Sequence, residues 1–337
     1  MQDILEKLQH KKDLTDVEMR AAMTAIMTGC VLDADIREFL LGLNAKGFTV
    51  EEITSAAVVM RECVVAVDTG AVRVFDIVGT GGDARHSFNI STTAAFVIAA
   101  GGVKVAKHGN RSVSSLCGSA DVLEALGINL AMPHERLAAC LEAVGIVFLF
   151  AQRHHPAMKH VAPVRKALGV KTIFNILGPL TNPAFAACQM MGVYSYPLVE
   201  QMAHVLRNLG AARAVVVHST DGLDEISTAA ETFVSEVTDG TVRSYRIVPE
   251  TYGFTRAAEA DFKGGDKAVN AAILRAILAG EQGPRRDIVL MNAAFGLYAA
   301  GVVDSPADGL ERARTVIDSG DALRKLEQLK EFTNCGC

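Results

Sequence analysis

The sequence predicts an α/β protein in two parts: a small all-helical domain, then a larger α/β domain with a central, mostly parallel sheet. Three observations predict it. The first seventy residues carry helical periodicity and nothing else. From about Arg73, short apolar runs alternate with helical segments, the signature of buried parallel strands joined by crossover helices. The loops after the first two of those runs are polar and glycine-bearing, as loops at the carboxyl ends of parallel strands are when they bind ligands. The expected boundaries are 1–70 for the helical domain and 71–337 for the α/β domain.

In the helical part, Thr15 and Glu18 have capping-box spacing, and Met19, Ala22, Met23 and Ile26 follow as an apolar stripe. Ile36, Phe39, Leu40 and Leu43 repeat that spacing, with Gly47 as the stop. Thr49 and Glu52 form a second capping-box pair before the stripe Ile53, Ala57 and Met60. Nothing in this part carries chemistry. A bundle packing on another domain or another copy is the expected role.

The predicted strands are Phe75–Val78, Val103–Ala106, Ile146–Phe150, Ala214–Val217 and Ile288–Leu290. After the first comes Gly79-Thr80-Gly81-Gly82-Asp83. After the second comes Lys107-His108-Gly109-Asn110-Arg111-Ser112. Each turn leads toward a predicted helix. Glycines let successive N–H groups point into one concavity, and a helix N-terminus adds its own free donors, so the pair reads as an anion cradle. Lys107 and Arg111 are read as its fixed positive charge. A helix is expected over Asp121–Leu126, stopped by Gly127.

Between strands, Ala157–Leu168 is expected to be helical, kinked or restarted at Pro163. Phe174–Pro183 holds too many turn formers for a long helix. Arg165 lies in this insertion, and its planar fork suits a carboxylate. Farther on, His218–Ser227 is an apolar strand ending in a loop with Asp221, Asp224 and Glu225. Two carboxylates about 4 Å apart repel by about 4 kcal/mol at an effective dielectric near 20. If that loop faces the cradle, hard oxygen ligands beside a pyrophosphate are what Mg²⁺ takes. The rest, to about Lys330, reads as scaffold with two alanine-rich helices.

Composition narrows the class. With 33 Lys and Arg against 38 Asp and Glu, the 337-residue chain carries a net charge of −5, which argues against a generic nucleic-acid binder. No apolar run reaches bilayer length, and the N-terminus has charges where a signal peptide needs apolar residues, so a cytoplasmic location with no membrane partner is expected. Seven scattered cysteines read as small apolar core residues of a reducing compartment. Cys335 and Cys337 lack ligand-spaced partners and are not read as a metal site.

Taken together, GTGGD (Gly79–Asp83), FNIST (Phe88–Thr92), KHGNR (Lys107–Arg111), SSLCGSADVLEALG (Ser114–Gly127), HPAMKHVAPVRKALGVKTIFNILGPLTNP (His155–Pro183) and DGLDEIS (Asp221–Ser227) closely resemble one family. That family is anthranilate phosphoribosyltransferase, of the nucleoside phosphorylase-like fold. The resemblance implies transfer of a 5-phosphoribosyl group from phosphoribosyl pyrophosphate to the amine of anthranilate, with Mg²⁺, as a step of tryptophan biosynthesis. It also implies a hinge between the two domains, a segment near 159–181 returning to the helical domain, and a homodimer paired through the helical domains.

Residue by residue, the resemblance places phosphoribosyl pyrophosphate contacts on Gly79, Gly82, Asp83, Ser87, Asn89, Ser91, Thr92, Lys107 and Ser119. It places Mg²⁺ ligands on Ser91, Asp224 and Glu225. Anthranilate contacts fall on Gly79, Asn110 and Arg165, with His108 close by. Gln152 stands where many members have proline, and Lys171 where arginine is frequent; neither position has an assigned role. His154 and His155 are read as structural. Two rivals share the fold: a pyrimidine nucleoside phosphorylase, for which the chain is too short, and a non-catalytic nucleic-acid-binding relative, which the net acidity disfavours.

Overall fold

The computed structural model describes residues 1–83, 85–112 and 116–335. Its N-terminal part is four helices: α1 (Gln2–Gln9), α2 (Asp16–Met27), α3 (Asp33–Lys46) and α4 (Val50–Glu62). Both expected capping boxes form, Thr15 with Glu18 and Thr49 with Glu52. Each satisfies donors that the first helical turn leaves free. Glu52 does more than cap. Fully buried, it accepts from Leu14 N at 2.9 Å and from Lys46 Nζ at 2.7 Å, fixing the α1–α2 linker to α4. The predicted stripes of α2, α3 and α4 are all buried.

The remaining elements are β1 (Phe75–Gly79), α5 (Ile90–Ala100), β2 (Val105–Gly109), α6 (Ser119–Ala125), α7 (Leu137–Val144), β3 (Ile146–Phe150), α8 (Ala151–His154), α9 (Ala162–Leu168), α10 (Ile173–Leu177), β4 (Cys188–Gly192), α11 (Pro197–Asn208), β5 (Arg213–Ser219), β6 (Thr232–Thr238), β7 (Thr241–Ile247), α12 (Lys267–Leu278), α13 (Pro284–Ala299), α14 (Pro306–Asp318) and α15 (Asp321–Asn334). The sheet runs β3-β2-β1-β4-β5-β6-β7. Strands β1 to β5 pair in parallel, and β6 and β7 add an antiparallel hairpin at one edge.

Two apolar cores result. One lies between the sheet and helices α5, α7 and α12–α15. The other joins α1–α4 to α11 and the opposite sheet face, and it takes in Val161, Val164, Ile173, Phe174, Ile176, Leu177 and Leu180 from the mid-chain insertion. Polar ties run the same way: Arg61 Nε donates to Leu180 O at 2.8 Å, and Asn44 Nδ2 to Lys171 O at 2.6 Å. Pro163 sits in the first turn of α9, where its missing N–H costs nothing.

Three expectations are corrected. Ile288–Leu290 is not a strand but the interior of the sixteen-residue α13, buried almost all round. An apolar run on both faces does not distinguish a buried strand from a buried helix. Lys107 and His108 belong to β2, which runs to Gly109, and not to the turn after it. The C-terminal scaffold holds four helices and the β6–β7 hairpin where two helices were expected. Cys117, Cys140 and Cys188 are buried, as read; Cys30 and Cys335 are exposed, and Cys337 lies outside the described residues. Ser114 and Ser115 of the quoted motif also lie outside them. Among the described residues no helix is long and apolar enough to cross a membrane.

Candidate active site

Chain order reverses between β1 and β4, which leaves a crevice at the carboxyl ends of the parallel strands. Chemistry-bearing residues collect there. A Cβ on Gly192, the last residue of β4, would lie 1.6 Å from the Asp224 carbonyl oxygen; one on Gly79, the last of β1, would lie 2.6 Å from Asp224 Oδ2. Only glycine admits so close an approach. The acidic loop after β5 is thereby seated over the ends of β1 and β4.

Beyond Gly79, Gly81 and Gly82 have φ of 62° and 74°. Positive φ at two successive positions is a backbone that glycine adopts without steric cost, and it gives the loop its tight turn. Gly81 N donates to Asp224 Oδ2 at 3.0 Å. Asp83 raises the pKa of Asp224 by its charge, and its own Oδ2 is buried without a hydrogen-bond partner. In the first turn of α5, Ser91 N donates to Glu225 Oε1 at 3.1 Å. Asn89, the N-cap, donates to Cys117 O at 3.2 Å and accepts from Asn270 Nδ2 at 3.0 Å. Ser87 pairs with Lys263 in an isolated bridge, and Thr92 is buried.

The electrostatics follow from this crowding. Burial, and then the charge of Asp83, hold Asp224 above the usual carboxylate range; burial, and then Asp224, do the same to Glu225. Lys107 opposes them. It is 4% exposed, its Nζ donates to Ile77 O at 2.5 Å, and burial pulls its pKa down while Asp76 and Glu225 hold it up. Asp76 is fully buried behind it, accepting from His108 N at 3.1 Å, and burial pushes it up to about 6 against the pull of Lys107.

Arg111 does not supply the free charge expected of it. Its guanidinium is spent on Asp121 at 3.0 Å and Glu124 at 2.5 Å. Asn110 and Ser119 do come together, Ser119 Oγ donating to Asn110 O at 3.2 Å, and Gln152 Nε2 reaches Asn110 Oδ1 at 3.4 Å. Behind them His108 Nε2 lies 3.2 Å from His155 Nε2. Burial and then His155 push His108 well below its ordinary range; burial and then His154 lower His155 to about 4. His154 donates to Val65 O at 2.8 Å, a structural role as read; His155 borders the site instead.

Arg165 is the member the structure does not bring in. It stacks on Phe174 at 5.4 Å within the helical side, and among the described residues it has no carboxylate partner and no hydrogen bond to the cradle. Reading the sequence also missed four site residues. Asp76 had a signal, a lone acid inside an apolar strand. Asn270 and Gly192 had none that stood out, and Lys171 was visible only as a lysine where arginine is frequent, with no role assigned. Lys171 Nζ donates to Gly82 O at 2.7 Å.

Metal fit can be judged from the donors. Asp83, Asp224 and Glu225 leave negative charge in excess and one carboxylate oxygen orphaned, which suits a hard cation. Among the described residues no His, Cys, Asp and Glu cluster forms a ready-made cage, so such an ion would need phosphate oxygens to complete its shell.

Residues 71–323 match the α/β domain of a glycosyl transferase family, and residues 2–64 match the helical bundle domain of the same family. An anthranilate phosphoribosyltransferase of Symbiobacterium thermophilum is 54% identical over 334 residues, covering 99% of this chain and 98% of that protein. The chain belongs to the anthranilate phosphoribosyltransferase family. It is a glycosyltransferase-class enzyme. The crystal structure of the anthranilate phosphoribosyltransferase from Thermus thermophilus is 44% identical, covers 99% of this chain and 100% of that one, and superposes with a TM-score of 0.94. The anthranilate phosphoribosyltransferase of Saccharomyces cerevisiae in complex with PRPP (phosphoribosyl pyrophosphate) and Mg is 28% identical, covers 98% of this chain and 97% of that one, and gives a TM-score of 0.89.

Proposed function

We propose that this crevice transfers the 5-phosphoribosyl group of phosphoribosyl pyrophosphate to the amine of anthranilate, releasing pyrophosphate. The observation that carries it is the meeting of Asp224 and Glu225 with the N–H groups of Gly81 and Ser91. Anion-binding donors and cation-binding carboxylates share one place, as a metal–pyrophosphate site needs. The names of the relatives, and the PRPP and Mg of the yeast structure, support the same reading. The two rivals, a pyrimidine nucleoside phosphorylase and a nucleic-acid-binding relative, are not favoured by any of them.

In this reading the nitrogen of anthranilate attacks C1 of the sugar, the bond from C1 to the pyrophosphate oxygen breaks, its electron pair leaves with pyrophosphate, and the nitrogen releases one proton to water. Gly79, Gly81, Gly82, Ser91 and the first turn of α5 bind the donor's anionic groups, with Ser87, Asn89 and Ser119 around the ribose phosphate. Asp83, Asp224, Glu225 and Ser91 would hold Mg²⁺, which supplies charge neutralisation at the leaving group. Asn110, His108 and Arg165 orient the acceptor. An aromatic amine is already nucleophilic, so orientation matters more than a base. The neutral His108 offers the acceptor a polar contact without a repelling or competing charge. Arg165 reaches the site when the helical part, residues 1–70 with about 159–181, closes on the α/β part and excludes water.

The finer readings are a cytoplasmic enzyme, in tryptophan biosynthesis, acting as a homodimer through its helical domains. Val17 and Leu32, each 75% exposed on that domain, support the last.

Loss of anthranilate fluorescence on adding phosphoribosyl pyrophosphate tests the reading. Loss that requires Mg²⁺, with the Arg165→Ala variant raising the anthranilate KM by about tenfold or more, is expected from removal of a charge-assisted contact. No loss with folded wild-type protein would sink it.

A further inference from the structure

The cradle needs a cation that its own two glycine-bearing segments do not provide. Lys107 is buried with its Nζ on Ile77 O, and Arg111 is occupied by Asp121 and Glu124. The mid-chain insertion delivers one. Lys171 Nζ lies 2.7 Å from Gly82 O and 3.7 Å from the centroid of the Tyr194 ring, and among the described residues it pairs with no carboxylate. An ammonium has three donors, and a single carbonyl leaves the others to the solvent of the crevice.

Its surroundings tie it to both halves of the molecule. Asn44 Nδ2, on α3, donates to Lys171 O at 2.6 Å, so the backbone of Lys171 is held by the helical part. Tyr194 N donates to Thr80 Oγ1 at 3.1 Å, and Thr80 N to Gly192 O at 2.9 Å, so the aromatic plate under the ammonium is tied to the glycine loop. A cation anchored on one half thus rests on the phosphate-binding loop of the other. A Cβ on Gly82 would approach Lys171 Cε to 3.1 Å, so glycine there also leaves room for the side chain.

We propose that Lys171 is a pyrophosphate-binding residue: its ammonium exchanges the Gly82 carbonyl for the pyrophosphate of the donor, and so couples donor binding to the position of the helical part. This rests on the donor assigned above. The exchange is favourable because a dipolar carbonyl is replaced by an anion that otherwise faces Asp83, Asp224 and Glu225.

The test separates charge from mere latching. Lys171→Met removes donor and charge, Lys171→Gln keeps a donor for Gly82 O without the charge, and Lys171→Arg keeps the charge. Binding of inorganic pyrophosphate in the presence of Mg²⁺ is measured by calorimetry, the KM for each substrate by anthranilate fluorescence, and folding by the thermal midpoint. Met and Gln variants should both weaken pyrophosphate binding and raise the donor KM by about tenfold or more, the range of a charge-assisted hydrogen bond, with the anthranilate KM changed less than about twofold. The Arg variant should stay close to wild type. A Gln or Met variant that is folded and binds pyrophosphate as wild type does would overturn the proposal. If wild-type protein consumes no anthranilate, the proposed reaction fails, while the pyrophosphate titration still decides the role of Lys171.

Discussion

The carbonyl oxygen of Asp224 lies where a Cβ on Gly192 would be, 1.6 Å from its ideal position. No side-chain rotation relieves that clash, because the obstructing atom is backbone. Gly192→Ala should push the acidic loop off the end of β4 and cost about 1–3 kcal/mol, the range of overpacked sites. A lower thermal midpoint together with a weaker dependence of activity on Mg²⁺ would show it. Unchanged values for both would mean that the loop is seated elsewhere in solution.

Lys107 and Asp76 are both buried and, without a direct ion pair, each favours the charged form of the other. Removing one partner strands the other, a loss of about 3–5 kcal/mol where the remaining group stays charged. Lys107→Met alone should therefore be strongly destabilised in urea unfolding. The double variant Lys107→Met with Asp76→Asn should recover most of that stability without recovering activity, since Lys107 also balances Glu225. A double variant no more stable than the single would show that the two charges are not coupled.

How much of this was legible in the sequence depends on whether the signal was local. The capping boxes at Thr15 and Thr49 and the stripes of α2–α4 were, because caps and periodicity lie within a few residues. β4 was not: Cys-Gln-Met-Met-Gly has no β-branched residue, and it is a strand because β1 and β5 pair with it on both sides. The β6–β7 hairpin does carry a local signal, Asp239-Gly240, whose φ of 51° and 73° are the two left-handed residues of a tight turn. In the site, the glycine loop and the acidic loop were readable as chemistry. That Asp224 seats on Gly79 and Gly192, that Arg111 is spent on Glu124, and that Lys171 covers Gly82 are consequences of packing between distant segments, which spacing does not report.

Asp224 and Glu225 are held above the usual carboxylate range by burial and by neighbouring acids. A raised pKa means that the folded form binds protons more tightly than the unfolded one. Stability is then fully present below about pH 4, the ordinary carboxylate value, and is lost as the pH rises through the higher folded values. With chelator present, Asp224→Asn should be more stable than wild type near neutral pH, by a margin that shrinks toward pH 4, while its Mg²⁺-dependent activity falls. Thermal midpoints across pH 4–8 check this. A variant less stable than wild type near neutrality would contradict the assignment.

His155 responds in the opposite direction. Burial first, and His154 second, lower its pKa from 6.5 to about 4. Its neutral ring donates or accepts toward His108 across 3.2 Å, so a proton added to it is unwelcome in the folded state. The unfolded chain takes up that proton near pH 6.5, the folded chain only near 4. Stability should therefore be complete above about pH 6.5 and fall as the pH drops toward 4, by up to about 3 kcal/mol for a shift of this size. His155→Gln keeps a polar contact for His108 but has no proton to gain. Its urea midpoint should lie below that of wild type near pH 7.5, and the two should converge or cross by pH 4.5. Parallel pH profiles for the two proteins would place the acid sensitivity at another group, and His108, also held neutral by burial, would be the next to replace.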